Sequence, residues 1–189
     1  MNVKEQILNS AESLFFEKGF HATGIRDIAN DAAVNSSMIS YYFQSKENLY
    51  LELIKRIEVN FQTDIFSMQL GMNTMDNLKN FVIKTKKVFD ELPKTVHLIM
   101  VEQLQASSEK AQSIIQNIQS SHYEFFCKLF KNQNIISTNN KIKIIYFTIW
   151  GVIKESCRLK NSSLNNFISP QDNMELEEEL YDLLENIDL

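Results

Sequence analysis

Hydrophobic residues recur along most of this chain every three or four positions, which is the spacing of one face of an α-helix. Four helices are predicted in the first third of the chain. They cover residues 3–18, 24–31, about 36–43, and 46 to beyond 60. Because only four Gly and two Pro occur in 189 residues, long helices are expected and a turn-rich β fold is not.

Capping residues stand at the expected ends of these four helices. Gly19 lies where the first helix should end. Thr23 can cap the second helix, Asn35 or Ser36 the third, and Ser45 the fourth. No Pro-, Gly- or Ser-rich linker follows, so we expect the fourth helix to run on into the rest of the chain without a break.

The same spacing continues to the C-terminus. Pro93 both ends one helix and starts the next, Ser107 or Ser108 can cap a long helix, and Ser169 with Pro170 marks the start of the last. The further helices are predicted at residues 74–92, 93–105, 108–131, 138–160 and from 169 onward. The fold class predicted by the whole pattern is all-α.

Residues 24–43, GIRDIANDAAVNSSMISYYF, meet the requirements of a helix-turn-helix. The first helix must pack on a core, the turn must be small, and the second helix must present short polar side chains outward. Ala32 and Ala33 keep the turn small. The inward positions are Ile25, Ile28, Ala29, Val34 and Ile39, and the outward, uncharged hydrogen-bonding positions are Asn35, Ser36, Ser37, Ser40 and Tyr41.

With its flanks, this stretch (residues 7–54, from ILNSAESLFFEKGF to SKENLYLELI) resembles the tetracycline-repressor (TetR) family of bacterial regulators. The resemblance implies a helix-turn-helix DNA-binding domain at residues 1–47 and a helical ligand-sensing and dimerisation domain at residues 48–189. It also implies that the chain is a ligand-responsive transcriptional regulator that binds a palindromic DNA operator as a homodimer. A repressor is expected rather than an activator.

The resemblance also assigns DNA contacts to particular positions. The residues that match are Thr23, Gly24, Arg26, Asn35, Ser36, Ser37, Met38, Ser40, Tyr41, Tyr42 and Lys46. Three positions depart from the family pattern: Ala33 replaces a glycine in the turn, Ser36 replaces a lysine, and Ser40 replaces a tyrosine. Two of these changes remove groups that would bind or approach phosphate, so they bear on affinity more than on fold.

Net charge argues against DNA binding as a general property of the chain. The formal charge is −5, and residues 1–56 carry six basic and seven acidic side chains, whereas nucleic-acid binders are usually basic. The alternative function is a helical adaptor that binds another protein through its acidic last helix, residues 172–188, and does not bind DNA. An enzyme is not expected, since the chain has no Gly-rich phosphate loop, HExxH or GxSxG motif.

No signal peptide or membrane-spanning stretch is evident, and Cys127 and Cys157 are isolated thiols. A cytoplasmic protein with reduced cysteines and without metal or cofactor is expected.

The last two helices are the predicted dimer interface: residues 142–159 are apolar around much of the helix, and residues 172–188 carry eight acids and no base. The alternative is that these helices complete the core of a single subunit.

A ligand pocket is predicted from aromatic and histidine residues on the helices of the second domain. These residues are Phe61, Phe89, His97, His122, Phe126, Tyr146 and Trp150. Tyr146 and Trp150 stand one helical turn apart, and each joins a large apolar face to a polar tip. Such a pocket would suit an apolar or aromatic small molecule, whereas the alternative reading is ordinary core packing.

Overall fold

The structure is a computed structural model, and it describes residues 2–71, 73–130, 139–160 and 182. All regular structure in these residues is helical, as predicted. The helices are α1 (Val3–Ala22), α2 (Ile25–Asp31), α3 (Ser36–Phe43), α4 (Lys46–Asn60), α5 (Thr74–Glu91), α6 (Pro93–Gln105), α7 (Glu109–Lys128) and α8 (Asn139–Lys160), with a π-helical turn at Phe61–Ile65 after α4. Among these helices, none is long and apolar enough to cross a bilayer.

The chain divides into two compact units. The first contains residues 1–60 together with residues 94–119, and the second contains residues 61–93 together with the described residues from 120 onward. The first unit therefore joins α1–α4 to α6 and the first half of α7. The functional boundary after residue 47 stays a prediction.

In the first unit, α1 and α4 form the centre of the core. Their inward side chains are Ile7, Leu8, Ala11, Leu14, Phe15, Leu49, Tyr50, Leu53, Ile54 and Ile57, all buried. Ion pairs close the edges of this contact: Lys4 Nζ lies 2.9 Å from Glu52 Oε1, and Arg56 lies 2.8 Å from Glu5. The apolar stripes seen in the sequence are therefore the surfaces that pack α1 on α4.

The α1–α2 connection differs from the prediction in its cap. Gly19 has φ of +81°, a conformation that interrupts α1 where a glycine was expected to end it. Thr23 was predicted to cap α2, and this was wrong: the N-cap is Gly24, whose N–H donates to Asp27 Oδ2 at 3.0 Å. The Thr23 hydroxyl instead donates to the carbonyls of Leu14 and Gly19, at 3.1 and 2.8 Å.

The other described caps follow the prediction. Asn35 caps α3, Ser45 Oγ accepts from Asn48 N at 3.0 Å at the start of α4, and Ser108 Oγ accepts from Ala111 N at 3.3 Å at the start of α7. The fourth helix was expected to continue past residue 60 as an α-helix, but α geometry ends at Asn60. The helix predicted from residue 169 lies outside the described residues.

Candidate functional site

Helix α3 has one buried and one exposed face. Ile39 is 0% exposed and Phe43 is 3% exposed, so these two residues fix the helix on the core. The opposite face presents exposed short polar side chains. These are Asn35, Ser36, Ser37 and Ser40, with Met38 half-buried beside them. The outward set predicted from the sequence is therefore the exposed face of α3, and it can donate and accept hydrogen bonds without bringing charge.

Two tyrosines close this face. Tyr41 is 74% exposed, the largest aromatic surface on α3, while Tyr42 is half-buried. Their rings meet edge to face with centroids 5.0 Å apart. Because Tyr42 packs against Tyr41 and also contacts Phe43, it limits the orientations available to the exposed ring. The Tyr41 side chain thus extends from the surface, and its contact with Tyr42 restricts the direction in which the hydroxyl points.

The turn between α2 and α3 is tight and contains a residue under backbone strain. Ala33 has φ of +51°, in the left-handed region that favours glycine. The turn is closed by Ala33 N to Asn30 O at 3.1 Å and Val34 N to Ala29 O at 2.9 Å. Ala33, which stands where the family pattern has glycine, therefore keeps the turn but adopts an unfavourable backbone conformation.

The α1–α2 corner does not expose every predicted contact. The Thr23 side chain is 1% exposed and its hydroxyl is used within the protein, so only its backbone is left to approach a phosphate. Gly24 is half-buried, and a Cβ added there would lie 3.0 Å from Asp27 Oδ2. Glycine thus allows the short N-cap bond. Arg26 is exposed.

Lys46 is held at the end of α1. Its Nζ donates to the carbonyls of Phe20 and Thr23, at 2.9 and 3.0 Å, and lies 4.4 Å from the centre of the Phe20 ring. A lysine ammonium has three N–H donors, so one remains for a phosphate. The sequence predicted a phosphate contact here and missed the structural role of the same side chain.

Most acids of the first 56 residues are engaged within the first unit. Five of the seven bind a cation, a hydroxyl or a backbone N–H; these are Glu5, Glu12, Asp27, Glu47 and Glu52. At Glu47, hydrogen bonds from Ser108 and Lys110 lower the pKa of the carboxyl below its usual range. No acid lies on α3 itself, so the overall negative charge does not fall on its exposed face.

The second unit contains an aromatic cluster around a buried histidine. His122 is 0% exposed, and its Nδ1 accepts from Trp150 Nε1–H at 3.1 Å and lies 3.3 Å from the Tyr146 hydroxyl. Since an indole N–H can only donate, Nδ1 carries the lone pair and the hydrogen-bond network assigns the proton to Nε2. Burial lowers the pKa of His122 to about 3, which keeps the ring neutral.

The rings around His122 include most of the predicted pocket residues. Phe61 and Phe81 lie with centroids 4.7 Å from the imidazole. Phe89 lies 5.2 Å from Trp150, and Phe126 lies 5.2 Å from Tyr146. Six of the seven predicted residues therefore come together in the second unit. The seventh, His97, belongs to the first unit, where its ring packs edge to face on Phe16 at 4.8 Å.

Two members of this region were not identified from the sequence. Thr85 is 1% exposed and lies one helical turn from both Phe81 and Phe89 on α5; the four-residue spacing was a signal that could have found it. Lys154 lies over the Trp150 ring at 5.3 Å, and burial lowers its pKa. Among the described residues no three His, Cys, Asp or Glu side chains group as a metal site, and neither cysteine forms a disulfide there.

Comparison with known proteins agrees with the geometry of the first unit. Residues 7–53 match the model of the family described as bacterial regulatory proteins, tetR family. The HTH-type transcriptional regulator QacR of Staphylococcus aureus is 26% identical over 153 residues, which are 81% of this chain and 69% of QacR. The probable HTH-type transcriptional regulator YttP of Bacillus subtilis is 32% identical over 92 residues, 49% of this chain and 43% of YttP.

The fold has a close match among solved structures. The TetR family transcriptional regulator PfmR from Thermus thermophilus superposes with a TM-score of 0.74 over 94% of this chain and 96% of that one, at 16% identity. This similarity concerns the fold alone, since the two sequences are 16% identical. Residues 7–53 form the DNA-binding helix-turn-helix of a TetR-family transcriptional regulator.

Proposed function

We propose that this regulator is a ligand-responsive repressor that binds a palindromic operator as a homodimer, with α3 as the recognition helix. The observation that carries the proposal is the exposed face of α3, where Ser36, Ser37, Ser40 and Tyr41 stand opposite buried Ile39. Hydroxyls and a phenol can read base edges or bind phosphates in the major groove. A protein-binding adaptor would have no use for this face.

A face of α8 supports dimerisation. Ile144 is 65% exposed and Phe147 is 67% exposed, on the same side of the helix. A Cβ added at Gly151, one turn further on, would meet no atom within 4 Å. An exposed apolar stripe beside a glycine suits close packing with a helix of a second copy. The final helix, the other half of the proposed interface, lies outside the described residues.

The small number of cations at the proposed DNA contacts sets an expected salt dependence. Arg26 and the remaining N–H of Lys46 are the cationic groups among those contacts. With about two phosphates neutralised per subunit, log K should fall against log salt with a slope of about −4 for a dimer, since each neutralised phosphate contributes about −0.9. The proposed binding mode thus depends on hydrogen bonds more than on charge.

The aromatic cluster of the second unit is the proposed effector site. Its rings offer apolar surface, and Tyr146, Trp150 and His122 add polar groups. A small molecule that binds better to a conformation with a different spacing of the two α3 helices would weaken DNA binding in proportion to that difference.

Selection from a randomised duplex library tests the proposal. Purified protein should enrich a palindrome, and Ser37→Glu should abolish the enrichment because it places a negative charge against phosphates and base acceptors. Ser113→Glu is the matched control, since Ser113 is an exposed serine on α7, and it should enrich the same palindrome. If the wild-type protein enriches nothing even at low salt, the adaptor function replaces the proposal.

A further inference from the structure

Two buried polar groups in the second unit lack a hydrogen-bond partner. In the described part of the chain they are the Thr85 hydroxyl and His122 Nε2. Their side chains are 1% and 0% exposed. A buried donor without a partner is costly, and folded proteins leave few of them. Both groups therefore require a partner that the described residues do not supply.

The two groups belong to one region of the aromatic cluster. Thr85 lies between Phe81 and Phe89, one helical turn from each, on the buried face of α5. Phe81 packs on the His122 ring at 4.7 Å, and Phe89 packs on the Trp150 ring at 5.2 Å. Thr85 is thus placed on the face of α5 that meets His122 and its neighbour.

The donor character of His122 is fixed by its other nitrogen. Trp150 Nε1–H donates to Nδ1 at 3.1 Å, so the proton resides on Nε2, which can then only donate. The Thr85 hydroxyl can donate as well. Two donors facing an apolar, aromatic environment match an oxygen with two lone pairs and no proton of its own.

We propose that the effector is a neutral, largely aromatic molecule with a carbonyl-type oxygen, and that this oxygen accepts hydrogen bonds from His122 Nε2–H and the Thr85 hydroxyl. The inference rests on the effector response proposed above and names the chemical class of the ligand. A ligand whose polar group is itself cationic would place N–H donors against donors. A purely hydrocarbon ligand would leave both groups without a hydrogen-bond partner, as they are among the described residues.

Acetophenone and isopropylbenzene form a pair of probes that tests this, because they have nearly the same shape and differ by a carbonyl oxygen in place of a methyl group. Each is titrated into the full-length protein without DNA. The readouts are the indole N–H resonance of Trp150, the chain's one tryptophan, and the Nε2–H resonance of ¹⁵N-labelled histidine. Acetophenone should bind about tenfold tighter, the equivalent of roughly 1.4 kcal/mol, and it alone should shift the Nε2–H resonance.

Thr85→Val is the decisive variant, since it replaces the hydroxyl by a methyl group of the same shape. It should reduce the preference for acetophenone to about threefold or less, because one of two hydrogen bonds is lost. It should also leave the urea midpoint unchanged or raised, since an unpaired hydroxyl is removed. Thr74→Val is the control: the Thr74 hydroxyl donates to Leu129 O at 3.4 Å, so its removal should lower the midpoint and keep the preference.

Equal affinity of the wild-type protein for the two probes would overturn the inference, and so would the absence of binding by either probe up to its solubility. A Thr85→Val variant with an unchanged preference, or with a midpoint lowered as much as in Thr74→Val, would also overturn it. None of these results depends on DNA. Failure of the proposed repressor function would appear instead in the duplex selection, so the two failures are distinguishable.

Discussion

Acid should destabilise the second unit through His122. The native state holds this imidazole neutral with its pKa lowered from 6.5 to about 3 by burial, whereas in the unfolded chain the same ring takes up a proton near its ordinary pKa. Below the unfolded pKa the unfolded state binds one proton more than the native state. Stability is therefore complete above pH ~6.5 and falls as the pH drops toward ~3.

The magnitude follows from the pKa difference. Between neutral pH and pH ~4 the shift acts over about 2.5 units, and at about 1.36 kcal/mol per unit this is a loss of roughly 3 kcal/mol. Urea unfolding at the two pH values, followed by the fluorescence of Trp150, reports on the unit that contains the histidine. His122→Gln retains an acceptor for the Trp150 N–H but cannot be protonated.

Other acidic groups titrate over the same range, and they do so in both proteins. The difference between wild type and His122→Gln therefore isolates the imidazole. We expect the wild type to lose about 3 kcal/mol more than the variant on acidification. If the two proteins lose the same amount, His122 is not held neutral in the native state, and the assignment of its Nδ1 as an acceptor for Trp150 Nε1–H falls with it.

Four further substitutions give defined outcomes. Ala33→Gly should stabilise the protein by about 0.5–1 kcal/mol in thermal unfolding, since glycine accepts the positive φ without strain; a loss of stability would contradict the strained turn. Tyr50→Phe should cost about 1–3 kcal/mol, because buried Glu102 loses the hydroxyl that donates to it at 3.2 Å, and an unchanged urea midpoint would refute this. Lys46→Met should lower both the melting temperature and the DNA affinity, since the ammonium donates to two carbonyls of the α1–α2 corner. If only the affinity falls, Lys46 binds phosphate but does not stabilise the corner. Phe147→Glu should yield monomers in analytical ultracentrifugation, because it places a charge on the proposed dimer face, and a stable dimer would move the interface elsewhere.

The helices could be predicted from the sequence because their ends carry local signals. Pro93 and Ser108 determine where α6 and α7 begin through their own backbone and side-chain geometry. The prediction that Thr23 caps α2 was wrong because its hydroxyl donates to the carbonyls of Leu14 and Gly19, nine and four residues earlier in α1. These carbonyls come within reach only once α1 has formed. The π-helical turn at Phe61–Ile65 had no sequence signal that we recognised.

The candidate sites likewise contain features that a local sequence signal predicts and features that it does not. The exposed face of α3 was predictable, because the spacing of Ile39 and Phe43 determines which side chains point outward. The role of Lys46 at the α1 carbonyls and the unpaired hydroxyl of Thr85 could not be predicted. Whether either side chain finds a hydrogen-bond partner depends on residues distant in sequence. Helical spacing predicts only the direction in which a side chain points, not its partner.

The spacing of the two half-sites tests the central claim most directly. Two α3 helices in a dimer should contact half-sites about one helical turn of DNA apart, roughly 34–36 Å. The affinity of the protein for the selected palindrome is compared with its affinity for the same sequence with about five base pairs, half a turn, inserted at the centre. Loss of specific binding on insertion is the predicted result. Unchanged affinity would contradict the account, since it would mean that the protein reads each half-site independently.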